Sequence, residues 1–103
     1  MNYLEALAKE IQQAVPVDAL PDDDTSALFL IYAIVLLARG ENTGREDVHN
    51  AWVAWMTIKG QQHNSMVPFA ELPPETQAED SPFVIAIRTV ASLRNNRGND
   101  HFS

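Results

Sequence analysis

The sequence predicts an all-α fold, a small domain of four main helices with an extended, proline-containing link packed across it. Apolar residues recur at three- and four-residue spacing along most of the chain, the mark of helices buried on one side. Strand-like alternation is nearly absent, and the prolines fall at the edges of the periodic segments, where they stop or start helices. One helical domain is expected over residues 1–94, and the polar, glycine-containing residues 95–103 are expected to form a disordered tail.

The first helix follows from Tyr3, Leu4, Leu7, Ile11 and Val15, which share one face. Asn2 is its expected N-cap and Pro16 its stop. Residues 15–24 contain two prolines and Asp22-Asp23-Asp24, and they read as a loop. The acidic triplet suggests a cation site, yet its simpler role is to cap the next helix and favourably charge its N-terminus.

That second helix, residues 25–39, is apolar all round. Such a helix is either the buried centre of a bundle or partly covered by another chain. Ile34 and Leu37 are therefore candidate partner-contact residues, and a homodimer stays open. Gly40 ends the helix. The third helix starts at Thr43-Gly44-Arg45-Glu46, which fits a capping box, and carries the stripe Val48, Ala51, Trp52, Trp55 and Met56 before fading near Lys59-Gly60. Residues 61–72 are expected to be extended or irregular, because Pro68 and Pro73 disfavour helix at the residues before them. Pro73-Pro74-Glu75 opens a short helix, a break follows near Asp80-Ser81, and Pro82 starts the last helix. Phe83, Val84, Ile87, Val90 and Ala91 give that helix its core face.

Composition narrows the function. The chain has 103 residues and a net charge of −7, from 14 acidic against 7 basic side chains. Such a balance repels polyphosphate backbones, so no nucleic-acid polymer is expected as a partner, although one or two local arginines suffice for a small phosphorylated ligand. There is no cysteine, which removes disulfides, thiol catalysis and cysteine-based zinc sites together. The apolar run at residues 27–38 would be about 18 Å long as a helix, whereas ~20 residues are needed to span a bilayer. No membrane segment or targeting signal is predicted, and the cytoplasm is the expected compartment.

Catalysis finds little support. Ser65 beside His63 is only a local hydroxyl–imidazole pair, and there is no glycine-rich loop. Asp47, His49 and His63 are the residues from which a metal site would be assembled, but positions i and i+2 point to different helix faces. No metal, no cofactor and no enzymatic activity are predicted.

The order His49, Trp52, His63, Val67-Pro68-Phe69, Leu72-Pro73, Asp80 resembles the repeat domain of ryanodine receptors and its small prokaryotic relatives. That pattern runs His-x-x-Trp, then His-x-x-Leu-Val-Pro-Tyr, then Leu-Pro and an acid seven residues later. The resemblance covers residues 45–92. Met66 and Phe69 stand where the family has Leu and Tyr, Asn64 replaces a common Pro, and the stretch between the tryptophan and the second histidine is shortened. Residues 1–44 have no counterpart in the repeat and look like short proteins of actinobacteria and their phages. The resemblance implies a recognition module, with His49, Trp52, His63 and Phe69 lining or bracing its surface. The competing reading makes Trp52 and Phe69 core residues that pin the link, His49 a cap on a neighbouring carbonyl, and His63 a brace for the loop turn.

Two functions remain. The first is a non-catalytic interaction module that binds a host protein or a second copy through Ile34, Leu37 and Trp55, the last as an aromatic anchor if exposed. The second is a sensor of a small nucleotide-like ligand, which stacks on Trp52 and hydrogen-bonds to the histidines, with Arg45 or Arg88 contacting phosphate.

Overall fold

In the computed structural model, residues 2–99 are described, with side chains through residue 96. Helix α1 (Tyr3–Ala14) begins at a full capping box. The Glu5 amide donates to Asn2 Oδ1 at 2.9 Å and the Asn2 amide donates to Glu5 Oε1 at 3.2 Å. Leu7 and Ile11 are buried on its inner face, and Pro16 follows its C-cap, Val15. A single 3₁₀ turn (Val17–Ala19) carries the chain to the acidic triplet. Asp24 Oδ1 accepts from both the amide and the hydroxyl of Ser26, at 3.0 and 2.7 Å. These bonds hold its carboxyl below the usual carboxylate range. Asp24, the last of the triplet, thus serves the start of α2.

Helix α2 (Ser26–Arg39) buries Leu28, Phe29, Tyr32, Ala33 and Leu36 and leaves Ile34 and Leu37 on its outer side, 55% and 48% exposed. Gly40, at φ +55°, turns the chain into a second 3₁₀ turn (Gly40–Asn42) by a backbone conformation that a Cβ would oppose. The capping frame of α3 (Arg45–Ile58) is displaced by one residue from the expected Thr43–Glu46 box. Thr43 is 1% exposed and spends its hydroxyl on the Gly40 carbonyl at 2.7 Å. Gly44 becomes the N-cap instead, and its amide donates to Asp47 Oδ2 at 2.8 Å.

After Gly60 the chain is irregular as far as a third 3₁₀ turn (Phe69–Glu71), and then forms the one-turn helix α4 (Pro74–Ala78). Two hydrogen bonds tie this link down. A ring nitrogen of His49 lies 2.7 Å from the Val67 carbonyl, and Gln77 Nε2 donates to the Phe69 carbonyl at 3.0 Å. Helix α5 (Ser81–Asn99) starts one residue before Pro82 and runs past the expected end near residue 94. Its late turns are tied back to the 40–42 turn, where Asn95 Nδ2 donates to Glu41 Oε2 at 2.9 Å. The tail expected from residue 95 is therefore helical as far as Asn99, and residues 100–103 lie outside the described part.

The architecture among the described residues is all-helical: four long helices and one short one, with no strand. Helices α1 and α3 each pack on both α2 and α5. Phe29 and Tyr32 meet edge to face at 5.2 Å, and Phe83 leans on Tyr32 at 5.7 Å, so three rings lock the start of α5 onto α2. Truncating a buried ring such as Phe29 to alanine in this core would cost about 3–5 kcal/mol.

Candidate functional site

Helix α3 sets His49, Trp52, Met56 and Lys59 three or four residues apart, so they share one face, with Trp55 beside them. The link folds back across this face because the His49 ring holds the Val67 carbonyl. A carbonyl only accepts, so Nε2 of His49 is the donor and carries a proton. What remains between α3, the link, the start of α5 and the loop before α2 is a cavity of about 580 Å³. Its walls include Tyr32, His49, Trp52, Trp55, His63 and Phe83, with Leu28, Met56 and Leu72 as apolar filling.

The aromatic rings are organised as a set. His49 stacks on Trp52 at 5.9 Å, Trp52 meets His63 edge-on at 5.4 Å, and Phe69 leans on His49 at 6.0 Å. His63 Nδ1 accepts from the Ser65 amide at 3.0 Å, which fixes the loop turn. The serine thus pairs with this histidine through its amide nitrogen. Lys59 Nζ sits 3.8 Å from the centroid of the Trp55 ring, a cation held on an indole face.

Charge at the walls is mostly negative. Asp23, Glu79 and Asp80 line the cavity against a single basic side chain, Lys59. Asp80 Oδ2 is shut off from solvent and has no hydrogen-bond partner. Burial pushes the Asp80 carboxyl up to about 6; His49 and Arg45 draw it down and Glu79 adds to the rise. The Tyr32 hydroxyl is pushed well above its ordinary range by burial, with the charge of Asp80 adding to it. An unpaired, partly desolvated carboxylate is costly unless something positive or hydrogen-donating comes to it.

His49, Trp52 and His63 meet at this cavity, as do Leu72 and Asp80 from the same ordered motif. Phe69 stands behind His49 and braces it without forming part of the wall. Three sequence expectations are corrected. Trp55 is 5% exposed and forms part of the core, so it is no surface anchor; the seventh position after Val48 turns inward with the apolar stripe. Arg88 lies outside the cavity, because the last helix packs against the 40–42 turn and its guanidinium donates to the Glu41 carbonyl at 2.9 Å. Arg45 sits exposed on the first turn of α3 and reaches the site only through its charge on Asp80.

Asp80, Lys59 and Tyr32 are the site residues that sequence reasoning passed over. Asp80 already stood in the ordered motif as its terminal acid, and Lys59 follows Trp55 by one helical turn, a spacing that brings side chains together. Tyr32 carried no such signal. Among the described residues, no group of three or more His, Cys, Asp or Glu is placed to hold a metal ion. Asp47 is turned to the Gly44 amide and to Arg39 Nε at 3.4 Å. Among the described residues, no helix is long and apolar enough to cross a membrane.

Residues 2–92 match a family model described as a domain of unknown function, DUF7701. The matched span joins the first two helices to the motif-bearing half in one unit. No curated protein and no solved structure matches the chain.

Proposed function

The chain belongs to the DUF7701 family, and we propose that it is a non-catalytic recognition module that takes a small, flat, polar ligand into the cavity between α3, the 61–72 link and the start of α5. The observation that carries this reading is the cavity itself. Its volume of about 580 Å³ falls within the range of small-molecule sites, and it is apolar and aromatic with a few placed polar groups. Indole and imidazole rings suit the stacking of a heterocycle, so the ring portion of a nucleotide-like ligand is what these walls would hold. Kinship with the ryanodine-receptor repeat is part of the proposal, and so is a cytoplasmic setting. What supports the kinship is that His49, Trp52, His63, Leu72 and Asp80, in that family's order, converge at the cavity.

Thermal and chemical unfolding with nucleosides, adenosine first, tests the proposal. A ligand at one hundred times its dissociation constant stabilises the fold by about 2.7 kcal/mol. His63 is exposed, so His63→Ala should leave the fold intact and abolish that gain. An undiminished response in His63→Ala would remove this residue from the site.

A second reading rests on a different observation. Ile34 and Leu37 present two large apolar side chains on the outer side of α2, which suits contact with a protein partner or a second copy of the chain. Ile34→Glu or Leu37→Glu should then yield monomer or aggregate in sedimentation velocity. An unaltered dimer would sink that reading.

A further inference from the structure

We propose that the cavity selects a positively charged planar ligand, its charge set against Asp80 and its ring against Trp52. This rests on the reading that the cavity is a ligand site, and it adds the ligand's charge class.

Three observations lead here. The first is the wall charge: the carboxylates of Asp23, Glu79 and Asp80 outnumber the one ammonium, Lys59, so an anion entering would meet net repulsion. The two arginines that a phosphate would seek lie elsewhere, Arg88 on the Glu41 carbonyl and Arg45 outside the wall. The chain as a whole, at −7, also attracts cations toward its surface.

The second observation is that the cavity already holds a cation. The Lys59 ammonium rests 3.8 Å from the Trp55 ring centroid, so an indole of this wall already holds positive charge, and Trp52 is the tryptophan left for a ligand. Lys59 does not satisfy Asp80, however. The charges that act on that carboxyl are His49, Glu79 and Arg45, whereas Lys59 acts on Asp24 at the loop before α2.

The third observation is Asp80 itself. Oδ2 has no hydrogen-bond partner and no solvent contact, on a residue that forms part of the wall. With its carboxyl pushed up to about 6, Asp80 is ionised at pH 7.5 but at a cost. A ligand cation in the cavity relieves that cost through its charge on the carboxylate, at short range and in a partly desolvated place. A neutral ring gains only the stacking.

A charge series on one ring tests this directly. The probes are nicotinamide, which is neutral, its ring-N-methylated pyridinium, which is cationic, and nicotinate, which is anionic. Binding is followed at pH 7.5 by the two indole N–H resonances, since Trp52 and Trp55 are the only tryptophans. The pyridinium is expected to bind about tenfold more tightly than nicotinamide, with nicotinate weakest. Asp80→Asn should bring the pyridinium and nicotinamide to within about twofold of each other. Lys59→Gln removes a like charge and should tighten the pyridinium while leaving nicotinamide unchanged. If nicotinamide or nicotinate shifts the indole resonances as readily as the pyridinium does, the charge preference is overturned and the cavity reading stands. If none of the three shifts them, both fall.

Discussion

Replacing Asp80 by asparagine keeps the size of the side chain and removes its charge, so its effect on stability isolates what that buried charge costs. Burial, the leading cause, pushes the folded carboxyl up to about 6, against 3.8 for the ordinary group. At ~1.4 kcal/mol per tenfold change, that difference caps the penalty near 3 kcal/mol. The side chain is only half-buried, so solvent screening reduces it to about 1–2 kcal/mol. A negative charge at the N-terminus of α5 recovers about 0.5 kcal/mol from the helix dipole. The net gain expected for Asp80→Asn at pH 7.5 is therefore about 1 kcal/mol, or roughly 4–8 °C in Tm for a domain of this size. The pH dependence has a definite sign. Because the folded group holds its proton more tightly than the unfolded one, wild-type stability from this residue is intact below about pH 4 and is lost as pH rises through about 6. Urea unfolding of both proteins at pH 4 and pH 7.5 reads this out. The advantage of Asp80→Asn should be present at pH 7.5 and nearly vanish at pH 4. An equal difference at both pH values, or a destabilised variant at pH 7.5, would refute the assignment of an unpaired buried charge.

Other substitutions probe the elements around the site. His49→Ala removes the donor to the Val67 carbonyl and should cost about 1–3 kcal/mol; amide exchange in residues 61–72 should speed up more than elsewhere, and unchanged exchange would mean the link is held by other contacts. Trp55→Ala should cost about 3–5 kcal/mol, because the ring is 5% exposed; a variant that melts like the wild type would return Trp55 to the surface. Ile34→Glu should change the stability of the monomer by no more than about 0.5 kcal/mol, given its exposed position. A large loss of stability that depends on protein concentration would instead identify this face as an interface.

Much of the fold was legible because helices advertise themselves by spacing. Leu7 and Ile11, Phe29 and Ala33, and Ile87 and Ala91 are each one turn apart, and each pair is buried as that spacing implies. Local chemistry was readable where one residue had one use, as with Asn2 and Glu5 at the start of α1. It misled where a residue had a second option. Thr43 fits a capping box on paper, but the Gly40 turn claims its hydroxyl, and that turn is a product of the α2–α3 connection. Asn95 reads as tail until the chain brings Glu41 to it across more than half the sequence.

The site was legible as an ordered motif and not as a shape. His49, Trp52 and His63 stand out by their order, and their meeting depends on the link folding back over α3. Burial of Trp55 follows from its place seven residues after Val48 on the apolar stripe, and the surface-anchor expectation went against that periodicity. The charge character of the site was hidden for a different reason. Residue type alone points to arginines for a phosphate, whereas packing against the 40–42 turn puts Arg88 beyond reach and leaves Asp80 in the wall.

Native mass spectrometry of the protein purified gently from its natural host tests the central claim most directly. The expected result is a reproducible bound molecule of roughly a few hundred daltons, a mass suited to a cavity of this size, which Trp52→Ala fails to retain. A bare dimer, or the same bound mass undiminished in Trp52→Ala, would contradict a ligand seated between the α3 face and the link.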